Sequence, residues 1–391
     1  MNKLLKNEIL SLNATPPNIY VRGKDIINGF VKFAAEKQGV DFSTKQVKRM
    51  VTTELFYNSN YIGGYTGMKP STTDGVAFHL CKDKFKLEKH LTMMQIPTFK
   101  SEVFYEKNKE QAKEFIKEHN HILFVLKPLS LSGGRGIEFK VDITNFDEAW
   151  ERSINTQKEN NSKPYACILQ PFMDGFDLRV TIIEGSFSSA LLRLPAHVVG
   201  DGKHTIEQLI NIKNEIKASS EYFNNKLIEI SNPLLKILES QSLSLNDIVK
   251  KNDVVHLSYI GNLVAGADSF DVTNEVSEDI KNLAIEATAA IPGLYSSGVD
   301  IMTEDFKKGK GVIVEVNTNP NNRMHELPFR GQKRSPSTDY IKALVINQKL
   351  KDNERLNSEE IEINSNYQKF LKLKSDYYAR FFEVRTVINS K

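Results

Sequence analysis

The sequence predicts a mixed α+β protein with more than one domain. Helical patterns alternate along the chain with short apolar runs that are typical of strands. Two of these runs continue into a second strand through a turn, 122–126 into 137–141 and 298–302 into 312–316. The 391 residues are too many for one ordinary core and suffice for two or three domains. Hairpins set between helices are therefore the basis of the predicted fold.

Composition excludes several classes of protein. Hydrophobic residues make up 40% of the chain and charged residues 26%, as in an ordinary soluble globular protein. A net charge of +3 over this length argues against a dedicated nucleic-acid binder. Cys81 and Cys167 match no metal or redox spacing and are compatible with a reducing compartment. Since neither a signal peptide nor an apolar run of about 18 residues occurs, we expect a cytoplasmic protein without membrane contact.

Periodicity places the individual elements. Predicted helices cover 24–38, 44–56, 81–94, 109–118, 146–157, 205–217, 233–238 and 277–290, with a short helix start at 246–249 and a helical tail after 335. Predicted strands cover 122–126, 137–141, 166–170, 177–183, 188–194, 254–260, 298–302 and 312–316. The Gly- and Asn-rich stretch 58–67 is predicted to be a loop.

Polar side chains at the end of one apolar strand predict a metal site. Period-two alternation sends Glu315 and Asn317 to the same face of the strand 312–316, and Asp300 lies on the strand that precedes it. The short turn 303–310 allows all three groups to meet at one cation. Such hard oxygen donors suit Mg²⁺ carrying phosphates. The alternative is a strand with polar groups near its solvent end.

A second set of residues suits a nucleotide. Lys127 ends a strand beside the glycines of 132–136, and its charge can neutralise phosphate. No helix follows these glycines, which excludes dinucleotide and P-loop sites but leaves a hairpin whose backbone N–H groups approach phosphate. Gln170 stands before Pro171, where freed backbone groups can bond an adenine edge, and Asp177 can accept from ribose hydroxyls. Each of these signals is weak alone.

The order of these pieces resembles the ATP-grasp ligases, and most closely the ATP-grasp modules of cyanophycin synthetases and bifunctional glutathione synthetases. The matching pieces run from about Lys82 to Arg334: 82–97, Leu126-Lys127-Pro128 with 132–136, 170–180, 192–206, 261–263, 271–274, 298–301 and 315–320. The block from Arg193-Leu194-Pro195-Ala196 to Gly200-Asp201-Gly202 is the specific one. The resemblance implies an ATP-grasp fold, in which two α+β subdomains hold the nucleotide behind an N-terminal pre-ATP-grasp region.

The resemblance also implies roles for residues. Lys127 and Lys84 match the lysines on the phosphates, although Lys82 competes with Lys84. The implied nucleotide-binding set also includes the lid residues Ser132, Gly133, Gly134 and Gly136, Gln170 and Phe172 at the adenine hinge, and Asp177 at the ribose. Asp300, Glu315 and Asn317 match the Mg²⁺ ligands, with Mn²⁺ as an alternative ion, while Arg193, Lys127 and Arg179 take the catalytic positions. The candidates for the substrate pocket are Asn262, Asn319, His325 and Arg330. The alternatives are a structural role for His325 and a solvated loop for Arg330.

We therefore predict an ATP-dependent carboxylate–amine ligase that joins amino acids or short peptides through an acyl phosphate and releases ADP and phosphate. The alternatives are a non-ligating ATP-binding regulator with the same fold and a kinase that stops at phosphorylation. The predicted divisions are an N-terminal domain 1–81, a lid subdomain 82–168, a catalytic subdomain 169–350 and a helical tail 351–391. The resemblance further implies a homodimer or homotetramer that acts on small molecules.

Overall fold

The computed structural model describes residues 3–23, 29–47, 50–131 and 133–389, arranged in four sheets with helices packed around them. The predicted α+β class is confirmed. Within those ranges no helix combines the length and the apolar character that crossing a membrane requires. The predicted domain boundaries stay a prediction.

An antiparallel sheet in the order β1-β2-β3-β4 forms the N-terminal part. It consists of β1 (Asp41–Val47), β2 (Met50–Tyr57), β3 (Asn60–Thr66) and β4 (Lys69–Pro70), and α2 (Phe30–Lys37) packs on it, whereas α1 (Lys3–Ala14) contributes Ile9 and Leu12 to the core of another sheet. Leu55 and Tyr65 of this sheet share a core with Ala34 and Ala35 of α2. The predicted helix 44–56 is wrong, because those described residues lie in β1 and β2, and the predicted loop 58–67 contains strand β3. Of the predicted helix 24–38, residues 24–28 lie outside the described part of the chain.

Two helices lead into a second antiparallel sheet, here named the lid sheet, in the order β5-β8-β6-β7. The two helices are α3 (Gly75–Lys82) and α4 (Lys84–Met93). The strands of the lid sheet are β5 (Glu102–Tyr105), β6 (Phe124–Pro128), β7 (Glu138–Val141) and β8 (Ala166–Pro171). Between these strands lie a 3-10 turn (Glu106–Asn108), α5 (Lys109–Glu118) and α6 (Phe146–Glu159). Strands β6 and β7 pair antiparallel across the glycine turn, which confirms the predicted hairpin. Trp150 of α6 and Ile116 of α5 pack on this sheet in a separate core.

The central sheet has the order β13-β10-β9-β14-β15 and carries the largest core of the described chain. Its strands are β9 (Phe176–Ile183), β10 (Ser186–Leu194), β13 (Asp268–Asp271), β14 (Ser297–Thr303) and β15 (Gly311–Asn317). One face is apolar along Leu178, Val180 and Ile182, and packs against α9 (Glu278–Ala290). The pairing of β14 with β15 through a hairpin confirms that prediction.

Strand β15 contains an irregularity that changes which way its residues face. Asp300 pairs with Glu315, but the next residue, Ile301, pairs with Ile313, so Val314 is an extra residue in the ladder. Such a β-bulge interrupts strict alternation. Ile313 and Val316 are buried in the core, whereas Val314 and Glu315 are both only half-buried.

A smaller module, residues 195–262, is inserted between the neighbouring strands β10 and β13. It contains β11 (His197–Val199), α7 (Ile206–Ala218), α8 (Asn232–Glu239) and β12 (Val254–His256), and a 3-10 turn (Leu263–Ala265) follows it. A capping box of Thr205 and Gln208 begins α7. Residues 246–249, predicted to start a helix, form a turn and a β-bridge of Ile248 to Thr205 instead. The predicted strand 254–260 ends at His256.

Three charged residues tie this module to the central sheet, and we name them the sealed cluster. The ammonium of Lys213 lies 2.7 Å and that of Lys217 lies 3.0 Å from the carboxylate of Asp268 on β13. Backbone carbonyls of Gly266 and Ala267 accept further hydrogen bonds from Lys217, at 2.6 and 3.1 Å. Asp268 and Lys217 are fully buried and Lys213 is half-buried, so the carboxylate at the centre of the cluster has no access to solvent.

The chain ends in helices, as predicted for the tail after 335. These are the short α10 (Arg323–Glu326), α11 (Pro336–Lys351) and α12 (Ser358–Asn389). Lys374 of α12 is 2% exposed and donates hydrogen bonds to the carbonyls of Ala289, Ile291 and Leu294 at the end of α9. A buried ammonium thus satisfies carbonyls that a helix end leaves without partners.

Candidate active site

The polar face of the central sheet brings distant residues into one row. Arg179 on β9 pairs with Asp300 on β14, and Asp300 pairs with Glu315 on β15. Two residues away along β9, Asp177 pairs with Arg193 on β10. Directly opposed residues, and residues two apart on one strand, point to the same side of a sheet. Five charged side chains therefore converge on one surface.

Four of these side chains form what we name the cleft cluster: Arg179, Arg193, Asp177 and Asp300. The Nε of Arg179 donates to Asp300 Oδ1 at 2.5 Å and its Nη2 to Oδ2 at 3.2 Å. The Nη2 of Arg193 lies 2.5 Å from Asp177 Oδ1 and 3.3 Å from Asp300 Oδ2. Both arginines therefore hold Asp300, and Arg193 bridges the two carboxylates.

The pKa values of the two carboxyl groups in the cleft cluster shift in opposite directions. Burial opposes ionisation of Asp300, but the charges of Arg179 and Arg193 outweigh it and keep the pKa of this carboxyl below its usual range. Burial raises the pKa of Asp177, and the nearby charge of Asp300 adds to that rise against the pull of Arg193. The site therefore keeps Asp300 ionised, as a cation site requires.

The predicted metal ligands lie together at the edge of this row. Glu315 is half-buried, and its carboxylate has a loose ion pair with Lys84, whose Nζ lies 3.9 Å away. The amide nitrogen of Asn317 donates to the carbonyl of Gly298 at 3.4 Å. Two carboxylates and one amide oxygen form a hard donor set that suits Mg²⁺. Within the described ranges no three His, Cys, Asp or Glu residues converge as a metal site, so this set depends on the amide.

Lysines surround the same region. Lys84 begins α4 beside Glu315, whereas Lys82 is exposed at the end of α3, so the structure favours Lys84 for the phosphate position. Lys127 at the end of β6 donates to the side-chain oxygen of Gln170. Burial and the charge of Lys84 lower the pKa of Lys127 to about 8. Because the ammonium groups of Lys84 and Lys127 repel each other, this region favours the binding of an anion.

A cavity of about 390 Å³ lies between the lid sheet and the central sheet. Val125, Lys127 and Ile137 line it from the lid side, and Met302 and Val314 from the opposite sheet. Gln170, Phe172 and Asp177 line its hinge end. An apolar slot with a few convergent polar groups is typical of small-molecule sites of this volume. Of the predicted nucleotide-binding residues, the cavity is thus lined by Lys127, Gln170, Phe172 and Asp177 but not by Lys84, Gly133, Gly134 or Gly136.

The glycine turn between β6 and β7 requires its glycines. Gly133, Gly134 and Gly136 have φ of 72°, 83° and 68°, a left-handed conformation that other residues adopt only at a cost. A Cβ on Gly136 would also lie 2.9 Å from Pro128 Cγ. Ser132, predicted to belong to this lid, lies outside the described residues.

Two of the four predicted substrate residues have structural partners instead. His325 is fully buried, with Nε2 2.8 Å from Thr181 Oγ1 and Nδ1 2.9 Å from Ser189 Oγ, so both ring nitrogens are occupied away from the cleft. Burial, with the nearby arginines, lowers the pKa of His325 to about 3. Arg330 donates to the carbonyls of Asn13, at 3.2 Å, and Thr15, at the end of α1. These contacts favour a structural role for both residues, since the histidine positions the 321–327 segment and the arginine fastens α1, and their substrate roles stay predictions.

The other two predicted substrate residues remain accessible. Asn319 is exposed just after β15. Asn262 is half-buried and donates from Nδ2 to the carbonyl of Gly133 at 3.1 Å, so it touches the lid rather than the metal end.

Lys140 and Tyr259 were missed by reasoning from the sequence. Both line the cavity, and the Nζ of Lys140 lies 4.7 Å from the centroid of the Tyr259 ring. The apolar–polar alternation of 137–141 placed Lys140 on a solvent face, and no sequence signal revealed the bulge that turns it. Gly261 is likewise informative only in three dimensions, since a Cβ there would lie 2.5 Å from Asp177 Oδ2.

Comparison with known proteins agrees with this arrangement. Residues 88–249 match the family model of the prokaryotic glutathione synthetase ATP-grasp domain. The chain is 37% identical over 232 residues to a cyanophycin synthetase of Crocosphaera subtropica, covering 58% of this chain and 26% of the relative. It is 30% identical over 243 residues to the glutathione biosynthesis bifunctional protein GshAB of Enterococcus faecalis, covering 60% of this chain and 31% of the relative. The chain thus spans about a quarter to a third of the length of these relatives.

The solved structure of a bifunctional glutathione synthetase from Pasteurella multocida superposes with a TM-score of 0.58 at 24% identity, covering 81% of this chain and 43% of that one. At this identity the match is evidence for the fold alone. The resemblance read from the sequence is confirmed, and the chain has the ATP-grasp fold, with an ATP-grasp domain similar to those of cyanophycin synthetases and bifunctional glutathione synthetases.

Proposed function

We propose that this chain is an ATP- and Mg²⁺-dependent carboxylate–amine ligase acting on amino acids or short peptides. The observation that carries the proposal is the register-matched row of Arg179, Asp300 and Glu315 beside the cavity that also contains Lys127. The relatives' names, cyanophycin synthetase and glutathione biosynthesis bifunctional protein, support a product built from amino acids. Two free, buried cysteines are compatible with a cytoplasmic setting.

The chemistry asks mainly for positioning and charge neutralisation. The γ-phosphoryl group of ATP passes to a substrate carboxylate, and an amine then attacks the resulting acyl phosphate, releasing phosphate. Lys127 and Lys84 would hold the phosphate chain, and Arg193 and Arg179 would face the charge that develops on the transferred group. Asp300, Glu315 and Asn317 would hold Mg²⁺, which supplies charge neutralisation to phosphate oxygens when it is bound. The lid hairpin would exclude water, which would hydrolyse the acyl phosphate.

A substrate matrix tests the proposal. Pairs of amino acids and dipeptides, including γ-glutamyl compounds, are scored for ADP release, and the product masses are recorded. We expect at least one pair to give ADP together with a product whose mass is that of the two substrates less one water. ADP release that needs no amine would identify a kinase instead, and nucleotide binding without release with any pair would support a non-ligating role.

Glu315→Gln checks the metal assignment in the same assay. Loss of one carboxylate charge should lower turnover about 10²–10³-fold while thermal stability stays unchanged, since Glu315 has only a loose ion pair. Glu304→Gln is the matched control, because Glu304 lies exposed in the turn of the same hairpin. Full activity of Glu315→Gln would remove the metal site as assigned.

A further inference from the structure

The lid strand β7 contains a lysine in an unusual conformation. Lys140 has φ of 54°, and the pairing of β6 with β7 shifts register at this point. A non-glycine residue in the left-handed region is strained and persists only where its surroundings maintain it. The result is that Lys140 leaves the strand's alternation and lines the mouth of the cavity.

Two aromatic rings from different parts of the chain lie close to this ammonium. The Nζ of Lys140 lies 4.7 Å from the centroid of Tyr259 and 5.8 Å from that of Phe172. It also lies 3.4 Å from the Tyr259 hydroxyl. Phe172 belongs to the hinge after β8, whereas Tyr259 belongs to the inserted module. A cation over aromatic faces at these distances is attracted to both rings.

Neighbouring contacts join the same two segments. The rings of Phe139 and Tyr259 have centroids 5.7 Å apart. The Nδ2 of Asn262 donates to the carbonyl of Gly133 at 3.1 Å. A Cβ on Gly134 would lie 3.2 Å from Ile260 Cδ1, so the backbone of the glycine turn packs closely on the module. The lid hairpin therefore touches the segment 259–262 along its length.

We propose that Lys140 and Tyr259 form a clasp across the mouth of the nucleotide cavity, through which the inserted module controls how fast nucleotide leaves. The proposal rests on the proposed ATP binding and deepens it. In this proposal a nucleotide leaves the cavity when the lid separates from the module, and that separation breaks the cation–aromatic contact. Lys140 and Tyr259 act here as positioning residues, because they hold the lid rather than the reacting atoms.

The dissociation rate of a fluorescent ATP analogue, measured by stopped-flow chase with excess ATP, tests the clasp. Lys140→Gly removes the side chain and places the residue that best adopts positive φ, so its melting temperature should be unchanged or raised. We expect Lys140→Gly and Tyr259→Ala each to release the analogue about fivefold faster, the effect of losing one such contact. Because both changes remove the Lys140–Tyr259 contact, the double variant should release it more slowly than the product of the two single effects predicts.

Two variants serve as controls. Lys140→Arg retains the cation and should stay within about twofold of the wild-type rate. Asn161→Gly replaces another residue of positive φ, 49°, in the turn after α6 and should leave the rate unchanged. Equal rates for Lys140→Gly and the wild type, or multiplying effects in the double variant, would overturn the clasp alone. Absence of saturable nucleotide binding by the wild type would overturn the proposed function, and the clasp with it.

Discussion

The cleft cluster and the sealed cluster both bury several charges, but they do so for different ends. In the sealed cluster, Lys213 and Lys217 enclose Asp268, and carbonyl oxygens accept their remaining hydrogens. In the cleft cluster, two arginines share two carboxylates, and Asp177 and Arg193 also line the cavity. Charges enclosed by other protein groups hold a fold together, whereas charges that also face a cavity are available for a ligand.

Breaking the sealed cluster should give the largest effect on stability. Asp268→Asn leaves Lys213 and Lys217 buried without a counter-charge, which should lower the free energy of unfolding by about 3–5 kcal/mol. Denaturant unfolding measures this change. The folded fraction should retain turnover per molecule, since Asp268 does not line the cavity.

Asp300→Asn is the matched variant in the cleft cluster. It should abolish measurable ADP release while costing less stability than Asp268→Asn, because Arg193 keeps Asp177 as a counter-charge and lines a cavity that water can enter. Equal losses of stability in the two variants would contradict the distinction between the clusters.

Replacing His325 should affect stability without affecting nucleotide affinity. His325→Leu leaves the hydroxyls of Thr181 and Ser189 buried without their partner, at a cost of about 1–3 kcal/mol. Thermal unfolding and ATP titration are the paired measurements. A rise in the KM of an amino-acid substrate at unchanged stability would instead restore the substrate role that the sequence suggested.

A pH titration sharpens the assignment of Lys127 and has the smallest expected effect. The protonated ammonium is the form that binds phosphate, and its pKa in the free protein is lowered to about 8. ATP affinity should therefore be constant below about pH 8 and fall at most about tenfold per pH unit above it. Lys127→Arg should remove this dependence because a guanidinium stays charged throughout. A pH-independent wild-type dissociation constant would contradict the assignment.

Prediction from the sequence succeeded where periodicity and chain order agree. The hairpin of β14 and β15 follows from two apolar strands with a short polar turn, so the meeting of Asp300 with Glu315 was foreseeable. The helix predicted at 44–56 failed because Val47, Val51 and Leu55 have helical spacing as well. Partner strands override that local preference in the fold.

The contacts within the cleft cluster could not be predicted from the sequence. Arg179 meets Asp300 because β9 lies between β10 and β14, an order that local patterns do not reveal. His325 and Arg330 were assigned to a pocket by their place after Pro320, but His325 is buried against Ser189, and the half-buried Arg330 donates to the carbonyl of Asn13.

The extra residue in β15 has a consequence for how this chain can vary in length. Val314 lines the cavity while its neighbour Glu315 joins the charged row, so under the proposed function consecutive residues would serve the base end and the metal end of one ligand. Removing one residue there would slide the remaining strand by about 3.3 Å and exchange its two faces. Insertions and deletions among related chains should therefore accumulate in the turn 303–310. They should be absent from β15, because its length sets the distance between the residues proposed for the two ends of the ligand.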